Sequence, residues 1–238
     1  EVYNLCISRG TLTPEERKDA IKGVPEGLIL LNELIDERRK NPGDDFLSTL
    51  ILAEDQGSKL SNLEMCALVG AVLGAGSDTA VDLHSYLIKT LLQHPDQLDA
   101  LKKDESLVQG AISETLRYES SGKTGLARYA SEEIELNGHE IKKGQMVQLI
   151  TSTAGMDPVL YNNPRKFDIR RDHDKSISFG QGPHYCIGVT LVRSQTEVML
   201  KELFKRFPNL SLGNEIIYDY DHHNARRMDV MTVQTNLN

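Results

Sequence analysis

Apolar residues in the first part of the chain recur every three or four positions, which is the spacing of one face of a helix. Thr13 and Pro14 precede two glutamates, a composition typical of a helix start. An apolar stripe around Leu31 follows and stops at the Asn-Pro-Gly break over residues 41–43. The next segment, DFLSTLILAEDQG, predicts a short helix that ends at Gly57.

The longest helical pattern extends over about residues 61–94, from a capping box at Ser61 and Glu64 to the residue before Pro95. It is roughly three times as long as the mean helix of about 11–12 residues. Nearly every position over residues 66–75 is apolar, so we expect a central helix that is buried on most of its faces.

The pattern changes after two further predicted helices, over residues 95–103 and 106–118. Short β-type runs alternate with turn signals at Asn137-Gly138 and Lys143-Gly144, which predicts a small antiparallel sheet. A long helix over about residues 187–206 and a last strand pair complete the chain. The expected fold class is mainly α with a minor antiparallel β part, in a single domain over residues 1–238.

Composition and charge narrow the classes of partner. The net charge is −8, from 35 acidic and 27 basic side chains, which argues against nucleic acid because phosphate binding requires a basic surface. The three cysteines are far apart and predict no disulfide framework, so we expect a reducing, cytoplasmic compartment. No apolar run approaches the roughly 20 residues that span a bilayer, and we expect no membrane partner.

One cysteine lies in an unusual setting, the stretch SFGQGPHYCIGVTLVR over residues 178–193. Cys186 follows a glycine-rich turn and precedes a helix, where backbone N–H groups favour a negatively charged sulfur. The pattern alone allows an axial ligand to heme iron, a nucleophile or redox thiol, or a buried structural thiol. Zinc is disfavoured because no second cysteine or nearby Cys/His pair supplies further ligands.

Two other short motifs contain polar residues in apolar surroundings. In ETLR, Glu114 and Arg117 are three positions apart on a predicted helix and can form an ion pair, which on the surface would contribute little. In GAGSDTA, Asp78 and Thr79 bring polar groups into a segment expected to be buried. Either close helix packing or a helix distortion over a cofactor explains the second motif.

The three motifs together, in this chain order, resemble the cytochrome P450 family of heme-thiolate monooxygenases in its soluble bacterial form. Residues 75–79, Ala-Gly-Ser-Asp-Thr, match the oxygen-activation motif of the long central helix, and Glu114 with Arg117 matches ExxR. The cysteine motif FGxGxHxCxG is highly specific and matches in full: Phe179, Gly180, Gly182, His184, Cys186 and Gly188. The resemblance implies the cytochrome P450 fold, truncated at the N-terminal side.

On the proximal side, the resemblance implies that Cys186 is the thiolate ligand of heme b. Phe179 would pack beneath the heme, and Gly180 and Gly188 would admit backbone N–H donors to the sulfur. His184 and Arg128 would each contact a heme propionate. Glu114 and Arg117 would be buried and structural, with Arg171 as a third member.

On the distal side, the resemblance implies that Ala75 and Gly76 line the cofactor. Thr79 would hold a water molecule, and Asp78 would relay protons from solvent. Because family members that use peroxide directly tend to lose this acid–alcohol pair, its presence favours oxygen and two electrons from a ferredoxin-type partner. A small organic substrate would bind beside residues 71–76 and 120–125.

The sequence departs from the family pattern in two positions and in length. Ser176 stands where many bacterial members have histidine, and Met156 occupies the arginine position of an Asn-Arg-Asp-Pro type sequence. The resemblance covers only the C-terminal part of the family. We therefore expect a missing N-terminal segment or a second chain to complete the fold. The alternative function is a heme-binding or heme-free interaction module without turnover.

Overall fold

A computed structural model describes most of the chain, and its contacts divide into two compact units, residues 1–79 and 80–238. The single domain expected over the whole chain stays a prediction. Cys6, Thr13 and Gly57 lie outside the described residues. The structure describes residues 14–55, 60–122, 125–174, 176–220 and 226–235.

The first unit is helical. Helix α1 is Pro14–Lys40, α2 is Phe46–Asp55, and the first half of α3, which is Asn62–Gln93, completes it. The sequence predicts separate helices before and after residue 25, but α1 is continuous with Pro25 inside it. A small core joins the three helices through fully or almost fully buried side chains, namely Ile35, Ile51, Met65 and Cys66.

The turn between α1 and α2 is fixed by one carboxylate. Asp45 accepts a hydrogen bond from the Ser48 backbone N–H at 2.8 Å and one from Arg38 Nε at 2.6 Å. The Gly43 N–H also donates to the Ser48 hydroxyl at 2.9 Å. The backbone N–H of Ser48 and then the Arg38 guanidinium hold the pKa of Asp45 down, to about 2.

This carboxylate predicts a pH dependence of stability. A lowered folded-state pKa favours the folded state above the unfolded value of about 3.9, and the contribution disappears as the pH falls through the folded value. We expect the Asp45 carboxyl carbon to titrate by NMR with a midpoint of about 2. Asp45→Asn should lower the denaturation midpoint at pH 7 but make no difference in strong acid, and a carboxyl midpoint near about 4 would contradict the assignment.

Helix α3 changes its environment along its length. The capping box is formed, since the Ser61 N–H donates to Glu64 at 2.8 Å and the Glu64 N–H to Ser61 Oγ at 3.3 Å. In the first half Leu63 and Leu73 are 69% and 63% exposed, whereas Leu87 in the second half is fully buried. The expectation of a helix buried on most faces is therefore wrong for its first half, because no described segment covers those side chains.

The same helix contradicts the expectation that no apolar segment is long enough to span a bilayer. Over the described residues, Asn62–Gln93 is the one helix long and apolar enough to cross a membrane, with a window of mean hydropathy 1.3. A search for an uninterrupted apolar run does not find this helix, because glycines and single polar residues interrupt its apolar positions. This is weak evidence for a membrane span, since the core helix of a folded protein meets the same criteria, and Leu83, Leu87 and Leu91 are core residues.

The second unit contains four further helices besides the second half of α3. These are α4 (Pro95–Lys103), α5 (Val108–Tyr118), α6 (Thr151–Ala154) and α7 (Val189–Arg206). Buried apolar side chains from α3, α4, α5, α7 and the segment before the cysteine motif form one core. Its members are Leu83, Leu87, Leu91, Leu98, Leu101, Val108, Ala111, Ile112, Phe167, Ile169 and Leu200.

The strands form three separate antiparallel pairs. The strands are β1 (Leu126–Tyr129), β2 (Ile134–Leu136), β3 (His139–Ile141), β4 (Met146–Leu149), β5 (Ser211–Asp219) and β6 (Arg227–Gln234). Strand β1 pairs with β4, β2 with β3, and β5 with β6, so the one small sheet predicted before α6 is two. Asn137 and Gly138 turn the β2–β3 hairpin with φ values of 52° and 79°, as the sequence predicts.

A charged cluster ties α3, α5 and the last hairpin together around Glu119. Its carboxylate pairs with Lys89 from α3 and with Arg226, which precedes β6. Arg226 Nε also donates to the Tyr86 hydroxyl at 3.0 Å, and its backbone N–H donates to Ser121 O at 2.7 Å. The residues that follow α5 are thereby held against the C-terminal hairpin.

Candidate active site

Cys186 lies on a tight loop at the surface of the second unit. Its thiol is free and exposed, and its backbone N–H donates to the Phe179 carbonyl at 2.9 Å. Two more backbone bonds shape the loop, from Gly180 N–H to Ile177 O at 2.9 Å and from Tyr185 N–H to Gly182 O at 3.0 Å. The thiol is therefore presented to its surroundings by a backbone that is itself fixed.

Glycine is required at two positions of this loop. Gly180 and Gly182 have φ values of 75° and 66°, in the left-handed region that other residues rarely adopt. Gly188 caps helix α7, and an added Cβ there would lie 3.9 Å from the Cys186 sulfur. The main chain at the helix start thus runs directly beside the thiol, although α7 begins at Val189, two residues later than expected.

The two residues assigned to propionates by the resemblance are both at the surface. His184 lies in a single 3₁₀ turn over residues 182–184, and Arg128 lies on β1. Arg128 Nη1 donates to the neighbouring Ala127 carbonyl at 2.9 Å. Both side chains are exposed and available to an anionic ligand, and their roles stay predictions.

Glu114 and Arg117 form a fully desolvated, two-point ion pair on α5. Arg117 Nε and Nη2 each donate to a Glu114 carboxylate oxygen at 2.7 Å, and the two side chains are 0% and 1% exposed. The remaining donors of Arg117 bind backbone carbonyls of Gly155 and Pro164, both at 2.7 Å, and of Lys166 at 3.2 Å. The pair anchors the segment that leads to the cysteine loop.

Arg171 is the third member of this network. Its Nε lies 3.3 Å from Glu114 Oε1, and the same oxygen accepts the Asp168 backbone N–H at 2.9 Å. The guanidinium carbons of Arg117 and Arg171 lie 5.3 and 6.0 Å from the Tyr161 ring centre. One carboxylate thus balances the buried Arg117 and the mostly buried Arg171, and both cations also contact an aromatic face.

Asp78 and Thr79, the polar residues of the long helix, belong to the first unit, whereas the cysteine loop belongs to the second. The helix is continuous through residues 75–79, so the distortion that the sequence left open as one of two explanations is not present. Thr79 Oγ1 donates to the Ala75 carbonyl at 2.6 Å, and Asp78 is half-buried. An added Cβ at Gly76 would meet open space, so the helix surface there leaves room for another group.

The available donors fit a heme rather than a bare metal ion. Among the described residues, no group of three His, Cys, Asp or Glu side chains is arranged to hold a metal. Cys186 offers one exposed sulfur on a rigid loop. A single thiolate suits an iron whose other in-plane ligands come with a porphyrin.

Comparison with known proteins supports this geometry. A profile of the family described as "Cytochrome P450" matches residues 28–215. The chain belongs to the cytochrome P450 family. It is 39% identical over 220 residues to an epothilone C/D epoxidase from Sorangium cellulosum, covering 92% of this chain and 52% of the relative. It is 37% identical to a 6-deoxyerythronolide B hydroxylase from Saccharopolyspora erythraea, covering 85% and 50%.

Solved cytochrome P450 structures share the fold. The epothilone D-bound cytochrome P450epoK superposes with a TM-score of 0.88 at 38% identity, over 94% of this chain and 56% of that one. P450BioI, in complex with an acyl-carrier protein carrying hexadec-9Z-enoic acid, gives 0.86 at 33% identity, over 94% and 57%. The expected P450 fold is confirmed, and the chain spans about half the length of the curated relatives it matches.

The two local departures from the P450 pattern have simple environments. Met156 Sδ lies 3.9 Å from Arg117 Nη1, so the thioether sits beside the buried pair. Ser176 bonds to Ser178, whose backbone N–H donates to it at 3.3 Å, so serine here shapes the loop before Phe179.

Two residues of the P450 site were missed by the sequence interpretation. His173 Nε2 lies 3.7 Å from Glu114 Oε2 with neither ring nitrogen hydrogen-bonded, and burial lowers its pKa although Glu114 opposes the shift. Arg193, on α7, stacks on Phe179. Arg193 begins the polar stretch Arg-Ser-Gln-Thr of α7, and His173 lies in a run of charges, so neither gave a distinctive signal.

Proposed function

We propose that the protein is a heme-thiolate monooxygenase that inserts one atom of O2 into a small organic substrate. The second oxygen atom leaves as water, with two electrons and two protons consumed. The observation that carries the proposal is the exposed Cys186 thiol on a loop closed by its own N–H to Phe179. Relatives named as an epoxidase and a hydroxylase support the reaction class.

On the thiolate side, Cys186 would ligate the iron of heme b, which when bound supplies the oxygen-activating redox chemistry. Phe179 and Gly188 would exclude water from the sulfur and bring main-chain N–H groups close to it. Those donors withdraw charge from the thiolate and so tune its strength as a ligand. His184 and Arg128 would neutralise the propionates.

Thr79 and Asp78 on helix α3 would control the delivery of protons to O2. The Thr79 hydroxyl donates its hydrogen bond to Ala75 O, so the lone pairs of its oxygen can accept a hydrogen bond from a water molecule. Asp78, half-buried nearby on the same helix turn, would exchange protons with solvent. This acid–alcohol pair supports O2 with a ferredoxin-type electron donor over direct use of peroxide. The proposed location is the cytoplasm.

The substrate class we propose is a polyketide. The relatives include an epothilone C/D epoxidase, a 6-deoxyerythronolide B hydroxylase and the polyketide biosynthesis protein PksS of Bacillus subtilis. Optical titration of the heme with epothilone D and with a long-chain fatty acid compares this class with its main rival. Tighter binding of the fatty acid would contradict the polyketide assignment.

The spectrum of the reduced, carbon-monoxide-bound protein tests the proposal as a whole. A thiolate-ligated heme gives a strongly red-shifted Soret band, and the proposed function requires one. An unshifted band, or no heme band, would reject it. Turnover with a ferredoxin, its reductase and a nicotinamide cofactor, compared with turnover driven by hydrogen peroxide, then tests the electron source.

A second candidate is a heme-binding or heme-free interaction module without turnover. The exposed apolar side chains on the first half of α3, including Leu63 and Leu73, favour it because such a surface normally contacts a partner. The two candidates differ in the spectrum and in product formation. A red-shifted band with product supports the enzyme, and an unshifted or absent band supports the module.

Thr79→Ala should uncouple electron use from product formation. Without the hydroxyl the distal water is misplaced, so proton delivery slows and reducing equivalents are released as hydrogen peroxide. We expect product formed per nicotinamide oxidised to fall by about tenfold or more, with heme content unchanged. Thr49→Ala is a matched control, because Thr49 makes the same bond to the carbonyl four residues earlier, at 3.1 Å on α2. Unchanged coupling in Thr79→Ala would refute the assignment.

A further inference from the structure

Arg193 joins three parts of the second unit in the turn of α7 that follows the cysteine loop. Its guanidinium carbon lies 5.3 Å from the centre of the Phe179 ring. Its Nη1 donates to Gln109 Oε1 at 2.9 Å, and its Nη2 donates to Ser113 Oγ at 3.0 Å. The two hydrogen bonds hold the guanidinium to α5, and its face is left for the aromatic ring.

Phe179 connects this guanidinium to the thiol. Its ring receives the cation, and its carbonyl accepts the Cys186 backbone N–H at 2.9 Å. A continuous set of contacts therefore runs from α5 through Arg193 and Phe179 to Cys186. Helix α5 is itself fixed by the buried Glu114–Arg117 pair.

We propose that Arg193 is a positioning residue for the Cys186 thiolate, acting through the ring of Phe179. By holding that ring, it fixes the turn whose Phe179 carbonyl binds the cysteine N–H, and so sets the direction of the sulfur. Its relation to a heme rests on the proposed function. Its effect on the loop backbone does not, because every contact involved lies within the chain.

A merely structural Arg193 would act differently. If it served only to join α7 to α5, its loss would weaken that helix contact and the whole unit together. A positioning role instead concentrates the effect at the Cys186 amide. It also makes the effect depend on the Phe179 ring, since the ring is the only link from the guanidinium to the loop in this set of contacts.

The test compares Arg193→Met and Arg193→Lys with the control Arg206→Met, in which an exposed arginine paired with Glu202 at the far end of α7 is replaced. Hydrogen exchange of the Cys186 amide is measured in the heme-free protein. We expect the Cys186 amide to exchange about tenfold faster in Arg193→Met and to be accelerated less in Arg193→Lys. In the control the exchange rate should not change. In the heme-loaded protein the reduction potential should shift in the same order.

Two outcomes for the single variant Arg193→Met would overturn the proposal. One is unchanged Cys186 exchange in a folded Arg193→Met protein, and the other is an equal acceleration at all α5 and α7 amides. In a Phe179→Leu background the Arg193→Met effect should vanish, and its persistence would also reject the mechanism. If Arg193→Met does not fold, Ser113→Ala removes only one of the hydrogen bonds that hold the Arg193 guanidinium to α5. This milder variant must then also accelerate exchange at the Cys186 amide. If the red-shifted band is absent but Arg193→Met still accelerates exchange locally at the Cys186 amide, the proposed function is rejected and the positioning role of Arg193 is kept.

Discussion

We expect Cys186→Ala to abolish the red-shifted Soret band of the reduced, carbon-monoxide-bound protein. Alanine leaves the loop backbone free to keep its bond to Phe179 but removes the sulfur. Because alanine offers no donor atom to the iron, heme would be lost or bound through a non-thiolate ligand. Absorption spectroscopy and heme quantification by extraction measure the two effects separately.

Cys66→Ala is the matched control for this change. Cys66 is also a free thiol, but it is buried at 2% exposure in the core of the first unit. Its replacement should cost some stability and leave the spectrum unchanged. If Cys186→Ala kept the thiolate band, or Cys66→Ala lost it, the assignment of Cys186 as the ligand would be wrong.

The second large effect is expected from Glu114→Gln. The amide keeps the size of the carboxylate but leaves the buried Arg117 without its paired charge and removes the Glu114 charge from beside the mostly buried Arg171. Removing one partner of a buried ion pair costs about 3–5 kcal/mol, so we expect the free energy of unfolding to fall by that amount. Urea denaturation followed by circular dichroism measures the change.

An exposed ion pair provides the comparison. Glu202 lies 3.6 Å from Arg206 on α7, with the two side chains 46% and 71% exposed. Glu202→Gln should change the free energy of unfolding by less than about 1 kcal/mol. Equal, small effects of the two substitutions would show that the Glu114 network does not stabilise the fold as described.

Local signals in the sequence were sufficient for the cysteine loop and for most of the elements, but not for the continuity of α1 through Pro25 or the division of the small sheet into two pairs. The capping box at Ser61, the Asn137-Gly138 turn and the glycines around Cys186 each act within a few residues, so their conformations follow from neighbouring residue types. The long helix was predicted over about residues 61–94 and is Asn62–Gln93. The family-specific motif then predicted the fold.

Contacts between distant segments could not be predicted in this way. Arg193 reaches Ser113 across 80 residues, and Arg226 reaches Glu119 across 107, so no periodicity or turn signal links them. The expectation that α3 is buried on most of its faces failed for a related reason. Its pattern shows that apolar faces exist, but whether each face is covered depends on segments elsewhere, and Leu73 has no such cover here.

The carbonyls bound by Arg117 have a consequence for cooperativity. One guanidinium closes loops to Gly155, Pro164 and Lys166, which are 38, 47 and 49 residues away along the chain. None of these turns can detach without breaking bonds to a group that is almost completely desolvated. Residues 155–166 therefore open together with the end of α5, as one subglobal unfolding unit rather than as independently fraying loops.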